Sequence, residues 1–120
     1  MPLATLPTAV EPAPALNDWA PDMDLWVKRE DAISPVYGGN KVRRYEYVLA
    51  DVKARGARRV VTAGGYGSTQ VMATARFCQH LGLGCTAVLF EQPVTRFAQR
   101  AMRVDVTAGA ELVYGGSYLR

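Results

Sequence analysis

The chain has 120 residues, 49% of them hydrophobic, enough for the core of one ordinary domain or for part of a larger protein. Its 14 basic and 11 acidic residues give a net charge of +3 with no long block of one sign, which argues against a nucleic-acid partner. No apolar run approaches the roughly 20 residues of a membrane span, and the cysteines Cys78 and Cys85 with the single histidine His80 lack metal-ligand spacing.

Pro2, Pro7, Pro12, Pro14 and Pro21 make Met1 to Asp24 an extended, irregular arm, because each proline fixes its own dihedral and turns the residue before it away from helix. Such an arm needs another surface to lie on. It has no basic segment leading into an apolar core, so it does not read as a secretory leader, and the expected compartment is the cytoplasm with both thiols reduced and buried. Leu25 to Glu30 read as a short strand, and Asp31 to Gly39 as a loop broken by Pro35 and two glycines.

From Asn40 the period becomes helical, with Val42, Tyr45, Val48, Leu49 and Val52 on one face, Asn40 as N-cap and Gly56 as the stop. Arg59 to Thr62 read as a short buried strand. The glycine-rich turn Gly64-Gly65-Tyr66-Gly67 follows, then Ser68 as N-cap of a helix that packs Val71, Met72, Ala75 and Cys78 and ends at Gly82. Cys85 to Phe90 form a continuous apolar run, expected as a central parallel strand covered on both faces. Val94 to Val106 read as a third helix and Ala110 to Tyr114 as a last strand. This alternation predicts a parallel sheet with right-handed crossovers.

Two places carry candidate chemistry. In Tyr37-Gly38-Gly39-Asn40-Lys41 a lysine falls in the first turn of a helix, where the macrodipole and the neighbouring Arg43 and Arg44 oppose a charged amine. The neutral amine is the form that attacks a carbonyl, so Lys41 is a candidate nucleophile for Schiff-base chemistry. The plain alternative is a solvated lysine after a Gly-Gly turn. The second place is Thr62 to Gln70, a strand end, a glycine turn and a helix N-terminus with hydroxyls at its tip, which is where an open α/β sheet receives anionic ligands. It is neither a dinucleotide fingerprint nor a P-loop, since Gln70 stands where the third glycine belongs and no Gly-Lys-Ser/Thr follows. The turn also reads simply as tight strand-to-helix packing.

Gly-Gly-Asn-Lys at residues 38–41, about two dozen residues before Gly67-Ser68-Thr69-Gln70, resembles the fold type II pyridoxal-phosphate enzymes. The likeness is greatest to the branch of 1-aminocyclopropane-1-carboxylate deaminase and D-cysteine desulfhydrase. It begins at the arm Leu6 to Pro12, takes in Leu25 to Asp31 and continues to Gly109-Ala110-Glu111. The resemblance implies a tryptophan synthase beta-subunit-like, three-layer α/β fold with a parallel sheet. The chain would supply residues 1–40 as an N-terminal arm, strand and loop that pack on a large domain outside it, and residues 41–120 as most of a small domain.

By the same resemblance Lys41 is the lysine that carries pyridoxal 5'-phosphate, Asn40 shapes its turn, and Ser68 lies in the loop that receives the substrate carboxylate, with Thr69 and Gln70 beside it. Thr69 stands where the family has the Asn that bonds the cofactor's phenolic oxygen, and Gly67 stands where it has Gln. The family's phosphate-binding glycine loop falls beyond the last residue of this chain. The implied activity is that of a lyase or deaminase of a small amino acid, by elimination or ring-opening deamination to ammonia and a 2-oxo acid. The complete enzyme would be a homodimer that binds neither nucleic acid nor membrane, and the 120-residue chain alone would be inactive. Two other readings stand beside it: a non-catalytic fragment or interaction module without cofactor, and an α/β protein that cradles a nucleotide phosphate at Gly64 to Ser68 with Lys41 as a charge clamp.

Overall fold

A computed structural model describes residues 1–117, and along them the alternating periods of the sequence become three helices and five strands. The proline-rich arm contributes β1 (Val10–Pro12), which pairs antiparallel with β2 (Trp26–Lys28), Val10 lying opposite Lys28. After the loop come α1 (Lys41–Ala54), β3 (Arg59–Gly65), α2 (Thr69–Leu81), β4 (Gly84–Phe90), α3 (Arg96–Thr107) and β5 (Glu111–Tyr114). The last three residues of the unit expected at 41–120 lie outside the described residues. No helix among the described residues is long and apolar enough to cross a membrane.

The sheet order is β3-β4-β5 with every pair parallel, as the alternation predicts. Each crossover joins neighbouring strands, and a right-handed connection then carries α2 and α3 to the same face. Val60, Thr62 and Gly64 of β3 register with Cys85, Ala87 and Leu89 of β4 beneath those helices. The opposite face is open: Val61 is 67% exposed and Val113 40%, and Arg59 reaches across β4 to pair with Glu111 at 2.7 Å. Two expectations change here. The strand at Arg59 is longer than expected and lies at an edge of the sheet, so it is not buried. Thr86, Val88 and Phe90 are half-buried, so among the described residues β4 is fully covered on one face only.

Helix α2 is covered on two sides. Val71, Ala75 and Cys78 pack with residues of β4. Ala73 and Phe77 pack with Val42, Tyr45 and Leu49 of α1 and with Leu3 and Ile33, all buried. Full burial of a side chain such as Phe77 or Leu49 stabilises by about 1.5–3 kcal/mol. The arm therefore finds part of its surface within the chain: Glu46 Oε1 accepts from the backbone N–H of Leu3 at 2.8 Å and of Ala4 at 3.0 Å. Trp19, by contrast, stays 89% exposed and Trp26 56%. Val48, expected on the buried face of α1, is 45% exposed and is not part of the cluster that Val42, Tyr45 and Leu49 form with α2.

Between α2, α3 and β4 lie both cysteines, free and buried as expected, packed in one cluster with Ala75 and Ala108. Asp105 of α3 is buried nearby, and its Oδ1 has no hydrogen-bond partner among the described residues. Burial pushes this carboxyl up to about 6.

Candidate active site

Lys41 owes its place to two glycines. A Cβ on Gly38 would stand 2.2 Å from the Asp31 carbonyl oxygen, and Gly39 has φ of 96°, the left-handed region that favours glycine. The Gly39 N–H donates to the Glu30 carbonyl at 2.7 Å, which ties the turn down and sends the chain straight into α1. Asn40 occupies the cap position, but in helical dihedrals (φ −63°, ψ −14°) and without a side-chain cap bond. Its expected capping role is therefore absent: a cap acts from extended backbone, which lets the side chain turn back to the helix N–H groups.

Lys41 is the first residue of α1 and half-buried. With Asn40, Arg44 and Gln70 it lines a cleft of about 260 Å³. Arg43, expected to repel the amine, is turned away and neutralised by Glu30, which accepts from its Nη2 at 2.7 Å and its Nε at 3.0 Å. Those bonds, with one from the Thr8 hydroxyl, hold the Glu30 carboxyl down at about 2. Arg44 remains as the cation beside Lys41. Among the described residues no carboxylate lines the cleft.

Ser68 leaves β3 with extended dihedrals and caps α2, its Oγ accepting from the Val71 N–H at 3.3 Å. Thr69 begins α2 and is exposed, and its carbonyl accepts from the Tyr37 hydroxyl at 3.3 Å. The fold thus brings Lys41, Asn40 and Gln70 into one cleft, with Ser68 and Thr69 just before Gln70 in the chain and outside that lining.

Both ends of the Gln70 side-chain amide are engaged. Its Oε1 accepts from Arg44 Nη2, and its Nε2 donates to the Tyr45 hydroxyl at 2.6 Å. The Arg44 guanidinium lies 5.8 Å over the Tyr45 ring. Arg44 was anticipated as a cation beside Lys41, whereas the hydroxyls of Tyr37, Tyr45 and Thr74 around Gln70 are what sequence reasoning missed. Tyr45 read as a core residue by its spacing, and only the docking of α1 on α2 brings its hydroxyl to Gln70.

Residues 2–118 match the model of a family described as pyridoxal-phosphate dependent enzyme. The chain is 42% identical over 112 residues to nocardicin C-9' epimerase of Nocardia uniformis subsp. tsuyamanensis, a match that covers 93% of this chain and 33% of that protein. It is 39% identical over 93 residues to D-cysteine desulfhydrase of Salmonella paratyphi A, covering 78% of this chain and 28% of the relative. Among solved structures, one described as an ACC deaminase homologue superposes with a TM-score of 0.81 at 26% identity, over 100% of this chain and 35% of that one. The chain spans about a third of the length of these relatives.

Proposed function

As a member of the pyridoxal-phosphate-dependent enzyme family, to which this chain belongs, we propose that it is the lysine-bearing part of a lyase or deaminase that releases ammonia and a 2-oxo acid from a small amino acid. The observation that carries the reading is the cleft in which Lys41 stands beside Arg44 and the N-terminal turn of α2, with no carboxylate in its lining among the described residues. The donor set fits one side of the cofactor. An amine is available for its aldehyde, a guanidinium for its phosphate, and hydroxyls and backbone N–H groups for a carboxylate.

When bound, pyridoxal phosphate supplies an electron sink that acidifies the Cα proton of an attached amino acid. Lys41 would hold the cofactor through its amine, and the same amine, when free, would take that proton as general base. Arg44 would add a guanidinium to the phosphate from this side, alongside the family's glycine loop beyond residue 120. Ser68 Oγ is engaged as an acceptor at the Val71 N–H, which leaves its hydroxyl proton to donate to the substrate carboxylate. The hydroxyl of Thr69 offers one donor toward the cofactor ring. Gln70 meets the substrate through its backbone N–H, since its amide is held by Arg44 and Tyr45. Residues 1–40 and 41–120 act as an arm and a small domain that close on a large domain in the homodimeric enzyme.

The match to nocardicin C-9' epimerase over 93% of this chain favours a second reading. There Lys41 would take the same proton on one face and a second acid, outside the cleft lining described, would deliver a proton to the opposite face, with no bond at Cβ broken. The two separate in one assay on the active enzyme: elimination releases ammonia and a 2-oxo acid, whereas epimerisation only washes deuterium from solvent into Cα. The lysine assignment is tested by reductive trapping with borohydride and pyridoxal phosphate followed by peptide mapping. Label on Lys28 or Lys53 with Lys41 unmodified would refute it.

A further inference from the structure

Four hydrogen bonds under the cleft run in one direction. An arginine only donates, so the Gln70 atom that faces Arg44 is Oε1, and the other end of the amide is a donor. That end, Nε2, donates to Tyr45 Oη at 2.6 Å. Tyr45 Oη lies 2.6 Å from Thr74 Oγ1. Thr74 Oγ1 gives its own proton back to the Gln70 carbonyl, one helical turn earlier, at 2.8 Å. Tyr45 Oη also faces the Gln70 carbonyl, at the longer 3.3 Å; with Thr74 holding that carbonyl at 2.8 Å, the Tyr45 hydroxyl gives its proton to Thr74 Oγ1 over the shorter 2.6 Å, and the ring Gln70 to Tyr45 to Thr74 to Gln70 closes.

Tyr45 is 3% exposed and Thr74 1%, so neither hydroxyl exchanges these bonds freely with water. In such surroundings hydrogen bonds are stronger and a broken one is costly. Burial also raises the Tyr45 phenol, which keeps it a donor. The same tyrosine lies under the Arg44 guanidinium. Its hydroxyl orients the Gln70 amide and its ring supports the cation that the amide holds.

We propose that Tyr45 and Thr74 are positioning residues whose buried hydroxyl ring fixes the Gln70 amide and, through it, aims Arg44 at the phosphate of a ligand attached to Lys41. This rests on the reading that Arg44 receives that phosphate. Neither residue touches the ligand.

The test compares two aldehydes on the chain, pyridoxal 5'-phosphate and pyridoxal, each rate being divided by that for a free lysine derivative under the same conditions, because the 5'-hydroxyl of pyridoxal closes on its own aldehyde and lowers its reactivity toward any amine. Initial rates of borohydride trapping at Lys41 are read by mass spectrometry of its peptide. The native chain is expected to favour the phosphorylated aldehyde by about tenfold, the worth of one charge-assisted pair. Arg44→Ala should abolish that preference. Tyr45→Phe and Thr74→Val should lower it about threefold or more, with the rate for pyridoxal unchanged, and Thr74→Ser should restore it.

If Arg44→Ala removes the preference while Tyr45→Phe and Thr74→Val keep it, the positioning role is overturned and the phosphate reading stands. If the native chain shows no preference, or Arg44→Ala retains it, both fall. A loss shared equally by the two aldehydes would mean that the variants disturb Lys41 itself, which also overturns the proposal. Thr74→Val and Thr74→Ser carry the decision should Tyr45→Phe fail to fold.

Discussion

Replacing Asp105 by asparagine should stabilise the protein at neutral pH and do little in acid. The carboxyl is 1% exposed, its Oδ1 has no partner among the described residues, and burial raises it from 3.8 to about 6. A group whose native value lies above its unfolded value binds protons more tightly when folded, so stability falls as pH rises between the two values and stays low above the upper one. At about 1.4 kcal/mol per unit the bound is about 3 kcal/mol, and relaxation of α3 with water access reduces the expected figure to about 1–2 kcal/mol. Urea unfolding of Asp105 and Asp105→Asn chains at about pH 4 and about pH 8 isolates the effect. Every other titrating group is common to both chains and cancels in the difference. The variant should gain about 1–2 kcal/mol at the higher pH and almost nothing at the lower. An equal effect at both would refute the reasoning, because it would show that the substitution acts by packing and not by charge.

Ser68→Ala should cost about 1 kcal/mol from loss of the α2 cap, whereas Ser68→Asp keeps a capping oxygen and places a charge where a carboxylate should dock. If catalysis in the active enzyme survives Ser68→Asp, the residue is structural only. Gly38→Ala sets a methyl against the Asp31 carbonyl and should cost about 1–3 kcal/mol in thermal or urea unfolding. A neutral outcome would show that the turn before Lys41 gives way easily. The Glu30 carboxyl, held at about 2 against an ordinary 4.5, supports docking of the arm fully above pH 4.5, and that support is lost as pH falls toward about 2. Tryptophan fluorescence should follow this loss, and Arg43→Ala should move the midpoint upward. With a panel that includes D-cysteine and 1-aminocyclopropane-1-carboxylate, the 120-residue chain alone should show no turnover, and repeated turnover with stoichiometric cofactor would contradict that.

Much of the scaffold was legible because local signals agreed with one another. Gly56 and Gly82 both adopt positive φ just past helices, where the sequence places stops, and Ser68 caps α2 as its position before an apolar-periodic run implies. What was not legible depended on which element covers which. Val61 lies in an apolar run yet faces outward, since a short run looks the same on an open face and on a covered one. Asn40 has the right identity for a cap but sits in helical backbone, which identity cannot reveal. The Lys41 and Gly64 to Gln70 segments were each visible, but the Arg44–Gln70–Tyr45 linkage between them exists only where two helices cross.

The strand registers also bear on how the chain assembles. Val60 meets Cys85, and Thr86 meets Glu111, each across the same separation of 25 residues. Closing loops of equal and moderate length costs each step a similar entropy, so the sheet can grow one strand at a time as the polypeptide leaves the ribosome. The seam between α1 and α2 follows a different logic. Its cluster also needs Leu3 from the far end of the arm, so it completes only when segments distant in sequence have come together. Lys41 stands on one side of that seam and Gln70 on the other, so the cleft opens along the joint of the molecule that forms by the most remote contacts. Amide exchange in the first turns of α1 and α2 should therefore report cleft breathing well before the sheet loosens.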